Sequence, residues 1–292
     1  MALRPDALAY LAGLFPDLGP VAVLDVGANP IEGDAPYKGL MAAGLAHVTG
    51  FEPQEGPLAA LNARKSLAET YHPHALGAGG PADLHLYHHS GFTSLFKIDP
   101  AVAGMVGFAK STRPAGKVAV ETRRLDDLAE IGRVDFLKID VQGAEQAIIA
   151  HGRSKLAQTV LIQTEVRFIP LYEGEPGFAG LDLELQAQGF RFHDFAFLKR
   201  ASLRSASHGT LRPGLNRQVV DGDAFYLRDL TGIADWSVEQ VQRLAVLAEA
   251  VVDSPNLCAF CLDQLVARKV LTADAVQGYF AKLPLQMMRA AK

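Results

Sequence analysis

Two cysteines and one tryptophan in 292 residues leave little room for chemistry built on thiols. Cys258 and Cys261 form a lone C-x-x-C, so a disulfide framework is excluded, and without a second pair no zinc site is expected. Their helical surroundings lack the strand-to-helix placement of a redox pair, and both read as small buried apolar groups. Long apolar runs are missing too, so no segment approaches the length of a membrane span. Neither sign of charge prevails. Lys and Arg number 28 against 32 Asp and Glu, a formal net charge of −4, which argues against nucleic acid or anionic lipid as a whole-surface partner. The first twenty residues carry Arg4, Asp6, Asp17 and interrupting prolines, and read as a short amphipathic helix rather than a signal peptide. A cytoplasmic protein is the expectation.

What the chain does have is alternation. "VAVLDV" (21–26) is a β-branched run of the buried parallel type, and "HVTGFEP" (47–53) is the next strand. "GPLAALNARKSL" (56–67) has helical spacing, and short strand candidates flank the glycine-rich turn at 77–80. Strands are then expected at 118–125, 134–140 and 159–166, with a helix in "AEQAIIAHG" between the last two. A helix over 179–190 stops at Gly189 and leads into a terminal hairpin, "FRFHDFAFL" with "QVVDGDAFYLRD". The pattern predicts an α/β fold, a doubly wound sheet whose last strand runs antiparallel. After Asp229 only helical segments follow, over 237–252, 256–269 and 272–283. The expected division is therefore a domain over 1–232 and a C-terminal helical extension over 233–292. That extension either packs on the core or forms a homodimer interface.

In open α/β sheets the ligand lies outside the carboxyl ends of the strands. Acids recur at those ends: Asp25 after the first strand, Glu52 after the second, Asp140 after the fourth and Glu165 after the fifth. An acid closing the second strand is placed to accept hydrogen bonds from ribose hydroxyls. The first turn, however, reads Gly27-Ala28-Asn29-Pro30-Ile31-Glu32-Gly33 and lacks the G-x-G-x-x-G that brings a helix end against a pyrophosphate. Glu32 and Asp34 put negative charge where a diphosphate would approach. A cationic or zwitterionic nucleoside fits better, and S-adenosylmethionine is one; a nicotinamide dinucleotide ranks second.

The segments "VLDVGAN", "GFEPQ", "RRLDDLAEIGRVDFLKIDVQGAEQAIIAHG" and "LIQTEVRFIPLY", in that order, resemble the FkbM family of S-adenosylmethionine-dependent methyltransferases. The likeness runs from about residue 20 to about residue 230. It implies a class I methyltransferase (Rossmann-like) fold and O-methylation of hydroxyls on sugars and related metabolites. By the same resemblance, Asp25, Gly27 and Asn29 form the loop at the methionine end of the cofactor. Glu52 becomes the ribose ligand, with Phe51 and Pro53 shaping its pocket. The turn Leu76-Gly77-Ala78-Gly79-Gly80 falls where adenine is held, with Ala78 in place of the usual polar residue. Asp140 and Gln142 mark the border between cofactor and substrate.

Methyl transfer to an alcohol needs alignment and help in removing a proton. Asp140 is the first candidate base and Glu165 the second. The same two acids are donors of the kind a divalent cation uses, but without a third ligand no metal is expected. Alternation puts Lys138 on the face of Asp140, where it should be partly buried and paired. Glu145 reads as an acid in a first helical turn. His85, His88 and His89 lack zinc-ligand spacing and read as solvated or core side chains, while His193 is an outside candidate for the base. The irregular stretch 90–117 is expected to act as a substrate lid. The basic run at 199–218, with Lys199, Arg200, Arg204, Arg212 and Arg217, is a solvated loop or a grip for phosphates of an activated sugar. Two other functions stay open: an NAD(P)-dependent oxidoreductase on a similar sheet, and a degenerate methyltransferase fold serving as a scaffold.

Overall fold

The computed structural model describes residues 4–29, 33–212, 215 and 218–289. Pro30, Ile31, Glu32 and Arg217, invoked above, lie outside the described residues. In chain order the first half contains α1 (Pro5–Leu14), β1 (Val21–Val26), α2 (Lys38–Ala42), β2 (Ala46–Phe51), α3 (Glu55–Arg64), β3 (Glu69–His72), β4 (Ala75–Leu76), β5 (Gly80–Tyr87), α4 (Pro100–Met105) and β6 (Pro114–Arg123). There follow β7 (Phe136–Ile139), α5 (Glu145–Ala150), β8 (Leu161–Arg167), α6 (Phe178–Ala187), β9 (Phe190–Ala201), β10 (Gln218–Arg228), α7 (Val238–Leu247), α8 (Pro255–Ala267) and α9 (Ala273–Phe280).

Seven strands form the central sheet in the order β3-β2-β1-β7-β8-β10-β9. Its first five are mutually parallel, and β10 runs antiparallel to β8 and β9 on either side. This is the expected doubly wound sheet with a reversed strand near its end. The three remaining strands depart from it and make a separate sheet, β4-β6-β5. Strand β6 explains the separation: almost all of its side chains are exposed, a pattern that a doubly covered parallel sheet cannot accommodate. It also begins at Pro114, inside the stretch predicted to be irregular, which contains α4 as well.

Each face of the central sheet carries its own apolar cluster. On one face Leu24, Val26, Leu137, Ile139, Ile162 and Tyr226 pack beneath α5 and α6. On the other, Val21, Val23, Phe136, Leu161 and Phe225 share a cluster with Leu8 and Leu11 of α1 and Leu244, Leu247, Leu262 and Tyr279 of the C-terminal helices. The C-terminal helices α7 to α9 thus pack on the core. The helices are locally well specified: Ser237 and Gln240 form a reciprocal capping box at the start of α7, and the Ser254 hydroxyl accepts from Leu257 N at the start of α8, with Pro255 next. Cys258 and Cys261 are buried, unbonded thiols in that layer, and burial pushes the Cys258 thiol up to about 12. Among the described residues no helix is long and apolar enough to cross a membrane.

Candidate active site

The chain leaves β1 toward β2 and β3 on one side, and later returns to β7 and β8 on the other. Over that reversal lies a cleft of about 730 Å³, a size typical of small-molecule sites. Its wall includes Asp25, Gly27, Asn29, Phe51, Glu52, Pro53, Asp140 and Gln142. The structure brings these sequence candidates together.

Gly27 makes the junction between β1 and β7. It adopts φ +80°, and a Cβ there would stand 1.9 Å from the carbonyl oxygen of Asp140. Only glycine tolerates both the left-handed backbone and that approach. Gly27 N and Ala28 N both donate to Phe51 O, tying the turn to β2 as well. Beneath the turn, Asp25 is 3% exposed, accepts a 2.6 Å hydrogen bond from the Tyr37 hydroxyl and pairs with Lys138 Nζ at 3.2 Å. Lys138 also donates to Gly27 O at 3.0 Å. Burial alone would lower the Lys138 ammonium; Asp25, Asp140 and Asp223 outweigh it and raise its pKa, so the ammonium keeps its charge. Glu52, 2% exposed, accepts from Gln54 N at 2.8 Å, and burial pushes its carboxyl above the usual range.

Asp140 lies half-buried past the end of β7, and Gln142 governs its setting. Gln142 is held at φ +60°, an uncommon conformation for a residue with a side chain. Its Nε2 donates to Asp140 Oδ1 at 2.7 Å and to Glu165 Oε2 at 3.0 Å. Its Oε1 accepts from Arg167 and from the Tyr172 hydroxyl, while its backbone carbonyl takes the Ser94 hydroxyl at 2.6 Å. Behind this amide, Arg167 is buried among Glu165 at 2.9 Å, Asp221 at 3.2 Å and Glu175 at 3.6 Å. Burial would lower its guanidinium, but these acids raise it.

Glu165, the second candidate base, is therefore not on the cleft wall. It sits behind Gln142 against Arg167, and burial holds its carboxyl well above the usual range. Glu145 is more than an acid in a first turn. Its two oxygens accept from Val141 N at 2.8 Å and Gly143 N at 2.9 Å, closing the loop that carries Asp140 and Gln142. Burial raises it to about 7. Asp140, Glu145 and Glu165 consequently converge to within 4.8 Å, each already accepting from protein N–H groups.

Other candidates fall elsewhere. Gly77 and Ala78 do not line the cleft: Gly77 N bonds to Arg123 O, and Ala78 O accepts from Arg124, in the turn into the small sheet. The wall at that end comes from His74, Ala75, Leu76 and Leu84 instead. That lining starts at His74, two residues before the expected turn, and runs on into β4 and β5, because β3 ends at His72. His193 is exposed and off the cleft. The described basic residues Lys199, Arg200, Arg204 and Arg212 are off it too. Lys199 lies over the Phe108 ring and 3.6 Å from Asp221, and the Arg204 guanidinium packs against Gly107. Ser90, Gly91, Thr93 and Leu95 from the 90–117 stretch do line it. Lys138 is paired as alternation required. Arg167 was missed, although "TEVR" puts it on the face of Glu165, a pattern that calls for a buried ion pair.

A sheet in this order with one reversed strand, and a cleft at its switch point built on a glycine turn and strand-end acids, define the class I methyltransferase fold. Within it the chain belongs to the methyltransferase FkbM domain family, whose model matches residues 25–192, more than half of the chain. The 2-O-methyltransferase NoeI of Sinorhizobium fredii (strain NBRC 101917 / NGR234) is 47% identical over 81 residues, 25% of this chain and 33% of that protein. The match thus spans a third of that relative's length. Among solved structures, magnesium protoporphyrin IX methyltransferase from Synechocystis PCC 6803 with bound SAM aligns at 14% identity and TM-score 0.35, over 77% of this chain and 79% of that one. A putative methyltransferase from Thermoplasma acidophilum aligns at 12% and 0.36, over 74% and 72%.

Proposed function

We propose that this protein is an S-adenosylmethionine-dependent O-methyltransferase acting on a hydroxyl of a sugar, a glycan or a related metabolite. The observation that carries the reading is the closure of Gly27 onto Asp140, which sets the floor of an acid-lined cleft. Buried carboxylates at Asp25 and Glu52 suit a ligand bearing a sulfonium, an ammonium and ribose hydroxyls, and the cleft volume suits its size. In this reading Asp25, Gly27 and Asn29 face the methionine part, Glu52 takes the ribose hydroxyls beside Phe51, and His74 to Leu76 border the adenine. The bound cofactor supplies an activated methyl group.

This chain's own residues then do two things. The lid residues Ser90 to Leu95 and the β9–β10 side of the cleft hold the acceptor hydroxyl in line with the methyl group, and much of the rate gain comes from that alignment. Asp140, fixed by Gln142, takes the hydroxyl proton as the oxygen–carbon bond forms and the sulfur–carbon bond breaks. Glu165 positions Gln142 and does not meet the substrate.

Mass spectrometry of surface glycans from cells with and without the gene tests the acceptor. The expected result is one sugar lighter by a methylene equivalent in the deletion; unchanged glycans would move the acceptor to lipids or free metabolites.

A further inference from the structure

On the sheet face that bears α1 and α7 to α9, the side chains change character row by row. Val23, Phe136 and Leu161 belong to the apolar core. Two residues further toward the carboxyl ends, Asp25, Lys138 and Gln163 stand in register across β1, β7 and β8. The strand period of two keeps all three on that face. On β10, Asp223 pairs with Glu165 on one side and with Phe197 of β9 on the other. Ala196 and Phe197 both reach the cleft at a register shift in the hairpin.

In this row Asp25 and Lys138 serve each other and the Gly27 turn. Gln163 has no such task. It is 6% exposed, lines the cleft, and donates from Nε2 to Asp223 Oδ2 at 2.9 Å. A carboxylate only accepts, so Asp223 fixes which way the amide points. Gln163 Oε1 is then left buried without a hydrogen-bond partner among the described residues. An amide oxygen stranded in this way costs free energy unless the ligand brings a donor.

The chemistry of that donor follows from what stands beside the amide. Gln163 offers its unpartnered oxygen beside the carboxylate of Asp223, and Phe197, 52% exposed, offers an aromatic face. Lys138 is committed to Asp25 and Gly27 O, and the cleft cations Lys38 and Arg64 belong to α2 and α3 at the opposite end. Two acceptors and a ring match a neutral sugar, which presents adjacent hydroxyls along its edge and apolar C–H groups on its face. An anionic acceptor would be brought up against the carboxylates of Asp140 and Asp223. Asp140 lies two residues along and one strand across from Gln163, a backbone separation of roughly 8–9 Å, and both side chains line the same cleft, so together they can span one sugar edge.

We propose that Gln163, fixed by Asp223 and flanked by Phe197, is the subsite that grips a second hydroxyl of a neutral carbohydrate acceptor while its neighbour faces Asp140. This rests on the methyl-transfer reading for which hydroxyl reacts, but not for the binding itself. The test uses methyl glycosides of neutral hexoses and 6-deoxyhexoses. Their binding to the full chain is measured by saturation-transfer NMR with and without S-adenosylhomocysteine, whose own affinity is measured by calorimetry. Wild type should bind at least one glycoside, and Gln163→Met should weaken it at least tenfold while S-adenosylhomocysteine affinity stays within twofold. Removing the second hydroxyl from that glycoside should cost wild type a similar factor and the variant little. Phe197→Ala, on an exposed side chain that leaves the fold intact, should also weaken glycoside binding. The proposal is overturned if wild type binds S-adenosylhomocysteine but no glycoside, or if the folded variants bind glycoside as well as wild type. Glycoside binding without S-adenosylhomocysteine binding would instead remove the methyl-transfer reading and leave the subsite standing.

Discussion

The missing Cβ of Gly27 would lie 1.9 Å from the carbonyl oxygen of Asp140. This contact joins the ends of β1 and β7 and sets the distance between the cofactor turn and the candidate base. Gly27→Ala must therefore push the two strand ends apart as well as hold φ +80° with a side chain. The expected cost is about 2 kcal/mol or more in denaturant unfolding, together with loss of S-adenosylhomocysteine binding. A variant with unchanged stability and binding would show that the junction is not needed.

Asp140→Asn separates chemistry from binding. The amide keeps the shape of the side chain but cannot take a proton, so turnover should fall by roughly 10²–10⁴ while S-adenosylhomocysteine affinity changes little. Radiometric methyl transfer and calorimetry on the same preparation decide it. Retained turnover would remove Asp140 as the base.

Glu145 makes stability depend on pH. Burial raises its carboxyl from an ordinary 4.5 to about 7. Between those values the folded chain holds a proton that the unfolded chain releases, so this group's contribution is present at low pH and is lost as pH rises through 7. Thermal melts of wild type and Glu145→Gln should show wild type losing stability relative to the variant between about pH 5 and 8. A difference independent of pH would contradict the assignment.

The C-terminal helices are bound to the sheet by a buried ion pair as well as by apolar contact. Arg243 of α7 lies 3.1 Å from Asp135 and donates to Leu18 O and Pro20 O, and both charged side chains are 3% exposed. Asp135 also accepts from Ala22 N at 2.7 Å, at the second residue of β1. Arg243→Met removes one of the two guanidinium partners of Asp135, Arg133 remaining at 3.0 Å, and leaves Leu18 O and Pro20 O without that donor, so it should lower stability by about 1–3 kcal/mol. A chain ending at residue 232 exposes the core formed with α7 to α9, and should be recovered aggregated or unfolded. A folded, soluble truncated chain would show that the extension is separable.

The short apolar runs 21–26, 47–53, 134–140 and 159–166 placed four central strands, because a doubly covered sheet leaves near-continuous apolar signals. Strands were also expected at 118–125 and around the 77–80 turn, but that they form a sheet of their own escaped notice, because the pairing of β6 with β4 and β5 is a matter of tertiary contact. Asp25, Gly27, Glu52 and Asp140 were legible as cleft-lining residues, since a cleft of this fold opens at the strand ends. Glu165 was misplaced for a reason local sequence cannot express. It does share the face of the sheet that opens on the cleft, but the left-handed backbone at Gln142 folds an amide over it. Likewise the cleft wall past β3 includes His74 and not Ala78 because β3 ends early, and the unpartnered oxygen of Gln163 depends on a partner sixty residues away, Asp223.

The account stands most directly on what the cleft holds. Isothermal titration of the full chain with S-adenosylmethionine, S-adenosylhomocysteine and NAD(H), repeated with Glu52→Ala, measures it. The account predicts one saturable site for the two adenosyl ligands, at least tenfold weaker in the variant, and no binding of NAD(H). Saturable NAD(H) binding with none for S-adenosylmethionine or S-adenosylhomocysteine would contradict it.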